Sequence, residues 1–84
     1  MRTKDLAARY IEKTEKVLKD LTVKKCYTIN ENLVMEVIEE AERYLKDAKF
    51  YLERGTAATS LASIAYSEGL LDALRMLGLV DFLW

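Results

Sequence analysis

Ala57-Ala-Thr-Ser-Leu-Ala-Ser-Ile-Ala-Tyr-Ser-Glu-Gly-Leu-Leu-Asp-Ala-Leu-Arg-Met-Leu-Gly78 reads as one helix from end to end. It has no proline, a threonine just before it to act as N-cap, and a glycine at its end to supply a left-handed C′ position. Its interior holds one anomaly, Gly69, which costs about 1 kcal/mol in a helix relative to alanine. A helix that accepts this cost is expected to gain close approach of another backbone. On a wheel with about 100° per residue, Ala58, Ala62, Ala65, Gly69 and Met76 gather on one side, with Asp72 and Glu68 beside them. Ser60, Ser63 and Ser67 fall on the reverse. The expectation is a small-residue seam turned inward, carrying an aspartate with it, and a serine row facing water.

Working back along the chain, Gly55 stands where a second helix must stop. Before it, Val34, Ile38, Ala41, Leu45, Ala48 and Leu52 repeat at alternating four- and three-residue steps. Val37, Tyr44 and Tyr51 form a flanking row, and the two rows together span an arc of about 140°. That width suits a helix touching two neighbours, so this helix is expected to lie centrally. Thr28 with Glu31 has capping-box spacing, and Asn30 is a rival N-cap. The first helix carries Ala7, Tyr10, Thr14, Val17 and Leu21 on one stripe, widened by Leu6, Ile11 and Leu18. Its outer face holds acid-before-base pairs at i,i+4, as in Asp5–Arg9, Glu12–Lys16 and Glu15–Lys19.

The fold expected is all-α: an antiparallel up-down-up three-helix bundle, one domain over residues 1–84, with helices at about 3–22, 31–54 and 57–77. The one- or two-residue link at Gly55–Thr56 makes the last two helices antiparallel neighbours. At Gly78, Leu79 is placed to touch Leu74 in a Schellman motif. Nothing in the chain reads as a strand. The closing Val80-Asp-Phe-Leu-Trp84 is expected to fold back over the open end of the bundle, or else to offer a docking patch.

Composition narrows the chemistry. The 84 residues include no histidine and one cysteine, Cys26. Histidine-based triads and dyads, di-iron sites with Glu-x-x-His, and the usual zinc ligand sets are therefore out of reach. No glycine-rich phosphate loop is present. No catalytic residue and no cofactor is expected. Cysteine usage and the lack of a signal-like N-terminus fit a cytoplasmic setting, and no run approaches the ~20 apolar residues of a membrane span. Net charge is −1 but uneven: residues 1–27 carry +4, residues 28–55 carry −3 and residues 56–84 carry −2. A basic helix packed beside acidic ones accounts for this. RNA contact through Lys13, Lys16, Lys19, Lys24 and Lys25 is the weaker reading, because nucleic-acid binders usually show a concentrated basic stripe.

The hairpin pattern from Ala41 to Gly55 has the look of one tetratricopeptide unit, but a single copy excludes a solenoid. It also has the look of helical toxin-system domains, whose Arg-x4–6-His motif is absent. Two longer stretches are more specific: Tyr44-Leu-Lys-Asp-Ala-Lys-Phe-Tyr-Leu-Glu-Arg-Gly55, and Ala65-Tyr-Ser-Glu-Gly-Leu-Leu-Asp-Ala-Leu-Arg-Met-Leu-Gly-Leu79. These resemble a family of short archaeal proteins catalogued as domain of unknown function 357. The resemblance covers about the last two-thirds of the chain. It implies a left-handed up-and-down three-helix bundle, an archaeal cytosolic source and no established activity. The family's Tyr-x-Glu-Gly-x-x-Asp-Ala run falls on Tyr66, Glu68, Gly69, Asp72 and Ala73.

Two functional expectations follow. The first is a non-enzymatic module that binds another protein or a second copy of itself, with Phe50, Phe82, Leu83 and Trp84 as interface residues. The second is a small-ligand or divalent-metal domain using Tyr66, Glu68, Asp72 and Arg75. In this second case Glu68 and Asp72 have the i,i+4 spacing that aims two acids at one point. The bland alternative is that both acids are held in structural ion pairs.

Overall fold

A computed structural model describes residues 2–24 and 28–84 of the chain. The lone Cys26 and Lys25 lie outside the described residues, as does part of the expected connection between the first two helices. Three helices dominate: α1 (Thr3–Asp20), α2 (Glu31–Glu53) and α3 (Ala57–Met76). They pack as an antiparallel up-down-up bundle. Each boundary falls within two residues of its expected place, because local chemistry sets it. Asn30 wins over Thr28 as the cap of α2, its Oδ1 accepting from the Asn32 N–H at 2.8 Å. Gly55 (φ +82) and Gly78 (φ +73) take the left-handed conformation at C′ of α2 and α3. At both ends the paired Schellman bonds form: Gly55 and Thr56 donate to Leu52 and Tyr51, and Gly78 and Leu79 donate to Arg75 and Leu74. The expected Leu74–Leu79 apolar contact sits in the core.

The tail departs from the all-helix expectation. Where α1 was expected to continue to Thr22, the chain straightens at Leu21, and Thr22–Val23 (β1) pairs antiparallel with Val80–Asp81 (β2). Thr22 faces Asp81 and Val23 faces Val80, and the Lys24 N–H donates to the Leu79 carbonyl at 2.9 Å. β-branched Thr22, Val23 and Val80 suit this extended backbone. The ribbon draws Leu79, Val80 and Phe82 into a core cluster with Val17, Val34, Ile38, Ala41, Leu71 and Leu74. A second cluster, Ile11, Leu45, Ala48 and Ile64, fills the other end.

The largest correction concerns α3. Its inward row is Ser60, Ile64, Ser67, Leu71 and Leu74, each buried. The expected seam faces water: Ala58, Ala62, Ala65 and Gly69 are exposed, and a Cβ added at Gly69 would meet nothing within 4 Å. The reason lies in α2. Ala41 and Ala48 are fully buried and present almost no side chain, so α3 approaches closely enough for serine hydroxyls to reach the backbone. Ser67 Oγ donates to the Ala41 carbonyl at 2.7 Å and Ser60 Oγ donates to the Ala48 carbonyl at 2.6 Å. Both spacings are seven residues, so the two bonds share one antiparallel register. Each carbonyl keeps its intrahelical partner and uses its second lone pair. Serine is therefore buried without an unsatisfied donor, while Ile64, Leu71 and Leu74 supply the apolar area on the same row. Because α3 packs extensively on α2 and also carries α1, it holds the central place that the width of the α2 stripe suggested for α2.

Gly69 thus has no packing role. Gly69→Ala is expected to raise stability by about 0.5–1 kcal/mol, from helix propensity and a less flexible unfolded chain. A thermal melt checks it: Tm should rise by a few degrees in a domain of this size. Thr14, on the buried face of α1, is fully enclosed and its hydroxyl finds no hydrogen-bond partner among the described residues. Thr14→Val keeps the shape and removes that orphan group, so a gain of about 1 kcal/mol or more is expected in urea unfolding.

Candidate functional site

The residues expected to form one ligand site are divided between the two flanks of α3. Tyr66 lies on the side facing away from α1, its ring 4.4 Å from that of Tyr44 on α2. Glu68 lies about 160° and Asp72 about 120° away round the helix, toward α1. Helical period alone separates them, once the serine row is recognised as the inward one.

Glu68 and Asp72 both have partners. Glu68 pairs with Lys13 of α1 at 2.8 Å. The Asp72 Oδ1 accepts from Arg75 Nε at 3.0 Å and Nη2 at 2.6 Å, and from the Trp84 indole N–H at 3.2 Å. Lys13 also stands over the rings of Tyr10 at 4.6 Å and Trp84 at 5.0 Å. Phe82 meets Trp84 edge-on, with centroids 4.9 Å apart. These contacts form one chain of opposite charges and rings that fastens the C-terminal tail to α1 and α3. A concavity of about 230 Å³ beside them is lined by Ala65, Glu68, Gly69, Asp72 and Trp84. Its two carboxylates are already compensated by cations and donors. Among the described residues no group of three metal-ligating side chains comes together.

The Arg75 guanidinium, and after it the Trp84 N–H, hold the Asp72 carboxyl below its ordinary range. A lowered native pKa means that the ionised form is favoured by folding. The contribution is complete above the unfolded value of about 3.9 and is lost as pH falls through the lower native value. Trp84 is the only tryptophan, so its emission reports this contact. Emission should shift to the red in acid with a midpoint below that of an unpaired aspartate. Arg75→Gln should move the midpoint upward. An unmoved midpoint would show that the guanidinium does not set it.

The four expected interface residues also separate. Phe82 is buried at 8 % exposure and belongs to the core. Trp84 is held by Asp72 and Lys13. Leu83 is 93 % exposed beside it. Phe50 stands on the charged side of α2, half-exposed, with Tyr51 edge-on at 5.4 Å and the Arg54 guanidinium over its ring at 4.5 Å. The four make no common patch, because Phe50 stands apart and Phe82 is buried, which leaves only Leu83 and Trp84 exposed together.

A different surface does. On the side of the α2–α3 pair away from α1 runs a groove of about 490 Å³, lined by Glu36, Val37, Glu39, Glu40, Arg43, Tyr66 and Leu70. Exposed Leu33, one turn before Val37, and exposed Leu77, seven residues after Leu70, extend its apolar strip by helical period. The flanking row Val37, Tyr44 and Tyr51, which seemed to require a second neighbouring helix, looks along this side. α1 packs elsewhere, as the Glu15–Lys49 pair (2.8 Å) and the Lys13–Glu68 pair show. The missed signal was present in α3: Ser63, Tyr66, Leu70, Ala73 and Leu77 follow three- and four-residue steps beside the buried row.

No helix of the described residues is long and apolar enough to cross a membrane. A family model described as "Protein of unknown function (DUF357)" matches residues 9–80, nearly the whole chain. The chain belongs to that family. No curated protein and no solved structure matches it.

Proposed function

We propose that this member of the family is a non-enzymatic interaction module that receives a partner on the outer face of its α2–α3 pair. One observation carries the reading: the flank of α3 turned away from α1 carries no charge, its Glu68, Asp72 and Arg75 all lying on the α1 side. On that flank the helix presents Ala62, Tyr66 and Ala73, followed by Leu77 at its C-cap, to water. A surface helix ordinarily turns charged residues outward, and one apolar on several sides is ordinarily covered. Beside it, Leu33, Val37 and Leu70 continue the apolar surface across the groove onto α2. Contiguous exposed apolar area of this kind marks interaction sites in proteins that are otherwise monomeric.

The docking surface first expected at Phe82 and Trp84 gives way in this reading to the opposite flank, since the tail is engaged in closing the bundle. Ligand binding by Glu68 and Asp72 is not favoured, because Lys13, Arg75 and Trp84 already occupy them. An archaeal, cytosolic setting belongs to the same proposal and rests on the family resemblance and the sparse cysteine usage.

Site-specific photo-crosslinkers test it in cells producing the full chain. Probes replacing Tyr66 or Leu77 should give discrete adducts, whereas probes replacing Lys16 on α1 or Lys46 on α2 should not. Adducts from all four positions alike, or from none, would remove the reading.

A further inference from the structure

We infer that the occupant of the α2–α3 groove is a basic amphipathic helix of another protein; this rests on the interaction reading above. The charge on the two banks of the groove differs. The α2 bank carries Glu36, Glu39 and Glu40 against one cation, Arg43. Arg43 is already bound to Glu40, and among the described residues Glu36 and Glu39 have no ion-pair partner. The α3 bank carries no charge at all: Tyr66 and Leu70 line it, and Ala62, Ala73 and Leu77 flank them. The floor is apolar and aromatic, made by Val37, Leu70 and Tyr66, whose ring leans at 56° against that of Tyr44.

A ligand that satisfies all three surfaces has an apolar stripe for the floor, lysine or arginine along one edge for the glutamates, and small or uncharged residues along the other. An α-helix with apolar residues at three- and four-residue steps provides this arrangement and lies naturally between two antiparallel helices. The position is that of a fourth helix in a bundle, left open because α1 packs on the opposite flank.

A second copy of this chain fits less well. Its basic segment, α1, spends its apolar stripe (Ala7, Ile11, Thr14 and Val17) inside its own bundle and offers only a charged outer face. Pairing two grooves about a two-fold axis would bring the glutamate banks of both copies into the same interface, where like charges oppose association.

The test uses the full chain, isotope-labelled, and two synthetic helical peptides of about 18 residues, long enough for five turns. They share one leucine stripe, and the rest of the surface is lysine-rich in one and glutamate-rich in the other. The expected result is that the lysine peptide binds and shifts the amide signals of Val37, Tyr66 and Leu70. Binding should weaken about tenfold or more when salt is raised from about 50 to about 500 mM. Glu36→Lys combined with Glu39→Lys, at two exposed positions that leave the core untouched, should weaken it comparably. Equal binding of both peptides, preference for the acidic one, or indifference to the double substitution would overturn the inference while leaving the interaction reading in place. Binding of neither peptide would overturn both. Concentration-dependent shifts at the same three residues without peptide would assign the groove to a second copy and overturn the inference alone.

Discussion

Phe82→Ala is expected to lower the free energy of unfolding by about 3–5 kcal/mol, the usual cost of emptying a buried aromatic site. The side chain lies beyond the last helix, in a tail where substitutions are ordinarily tolerated. Its effect is large because the β1–β2 ribbon carries it back into the cluster of Val17, Ile38, Leu71 and Leu74. Its ring also braces Trp84, whose indole reaches Asp72. A domain of this length has a total stability of roughly 5–10 kcal/mol, so the variant should sit near the edge of folding at room temperature. Urea unfolding followed by far-ultraviolet circular dichroism measures it. The neighbouring Leu83→Ala is the control: at 93 % exposure it should change stability by no more than about 0.5 kcal/mol. Equal effects at the two positions would mean that the tail does not close the bundle, and would return it to consideration as a docking segment.

Ser67→Leu is expected to cost about 3 kcal/mol or more. Overpacking a filled core ordinarily costs about 1–3 kcal/mol, and the lost hydroxyl bond adds about 1 kcal/mol. This site is severe because the facing residue is Ala41 and the contact is to its backbone, which has no side chain to rotate away. The matched comparison is Ala65→Leu. Both are small-to-large changes in the same helix, two residues apart and on opposite faces, and the exposed Ala65 should tolerate leucine within about 0.5 kcal/mol. The pair is a direct reading of how α3 is rotated. If Ala65→Leu were the damaging change, the alanine–glycine seam would be the packed face, and Tyr66 and Leu70 would not line a groove against α2.

The rotation matters for function because each placement of α3 assigns different residues to the exterior. With the serine row inward, Tyr66, Leu70 and Leu77 fall beside Val37 and Glu36, and Glu68 and Asp72 fall beside Lys13 and Trp84. Tyr66, Glu68, Gly69, Asp72 and Ala73 are thereby divided. Glu68 and Asp72 secure the tail and first helix, Tyr66 forms part of the groove floor, and Gly69 and Ala73 keep the outer face small. The first group stabilises the bundle. Tyr66 lines the groove proposed to receive a partner.

Much of the architecture could be read directly from residue order. The two glycines at C′, the four-three steps of Val34 to Leu52 and the short Gly55–Thr56 link are local signals, and each acts through backbone geometry within a few residues. The face of α3 could not be read in the same way. That helix is small or apolar nearly all round, so periodicity offered two acceptable interiors, and alanine and glycine were the tempting choice because they permit close approach. The approach is in fact made possible by alanines on the other helix, Ala41 and Ala48, whose buried carbonyls accept the Ser67 and Ser60 hydroxyls while Ile64, Leu71 and Leu74 fill the space between. Strand pairing of Thr22–Val23 with Val80–Asp81 was hidden for a related reason: two-residue strands have no period, and only the docking of the tail creates them. Helices and their ends follow from interactions within a few residues. The choice of buried face depends on volume and hydrogen-bond acceptors contributed by a helix many residues away, and it exists only once the helices have met.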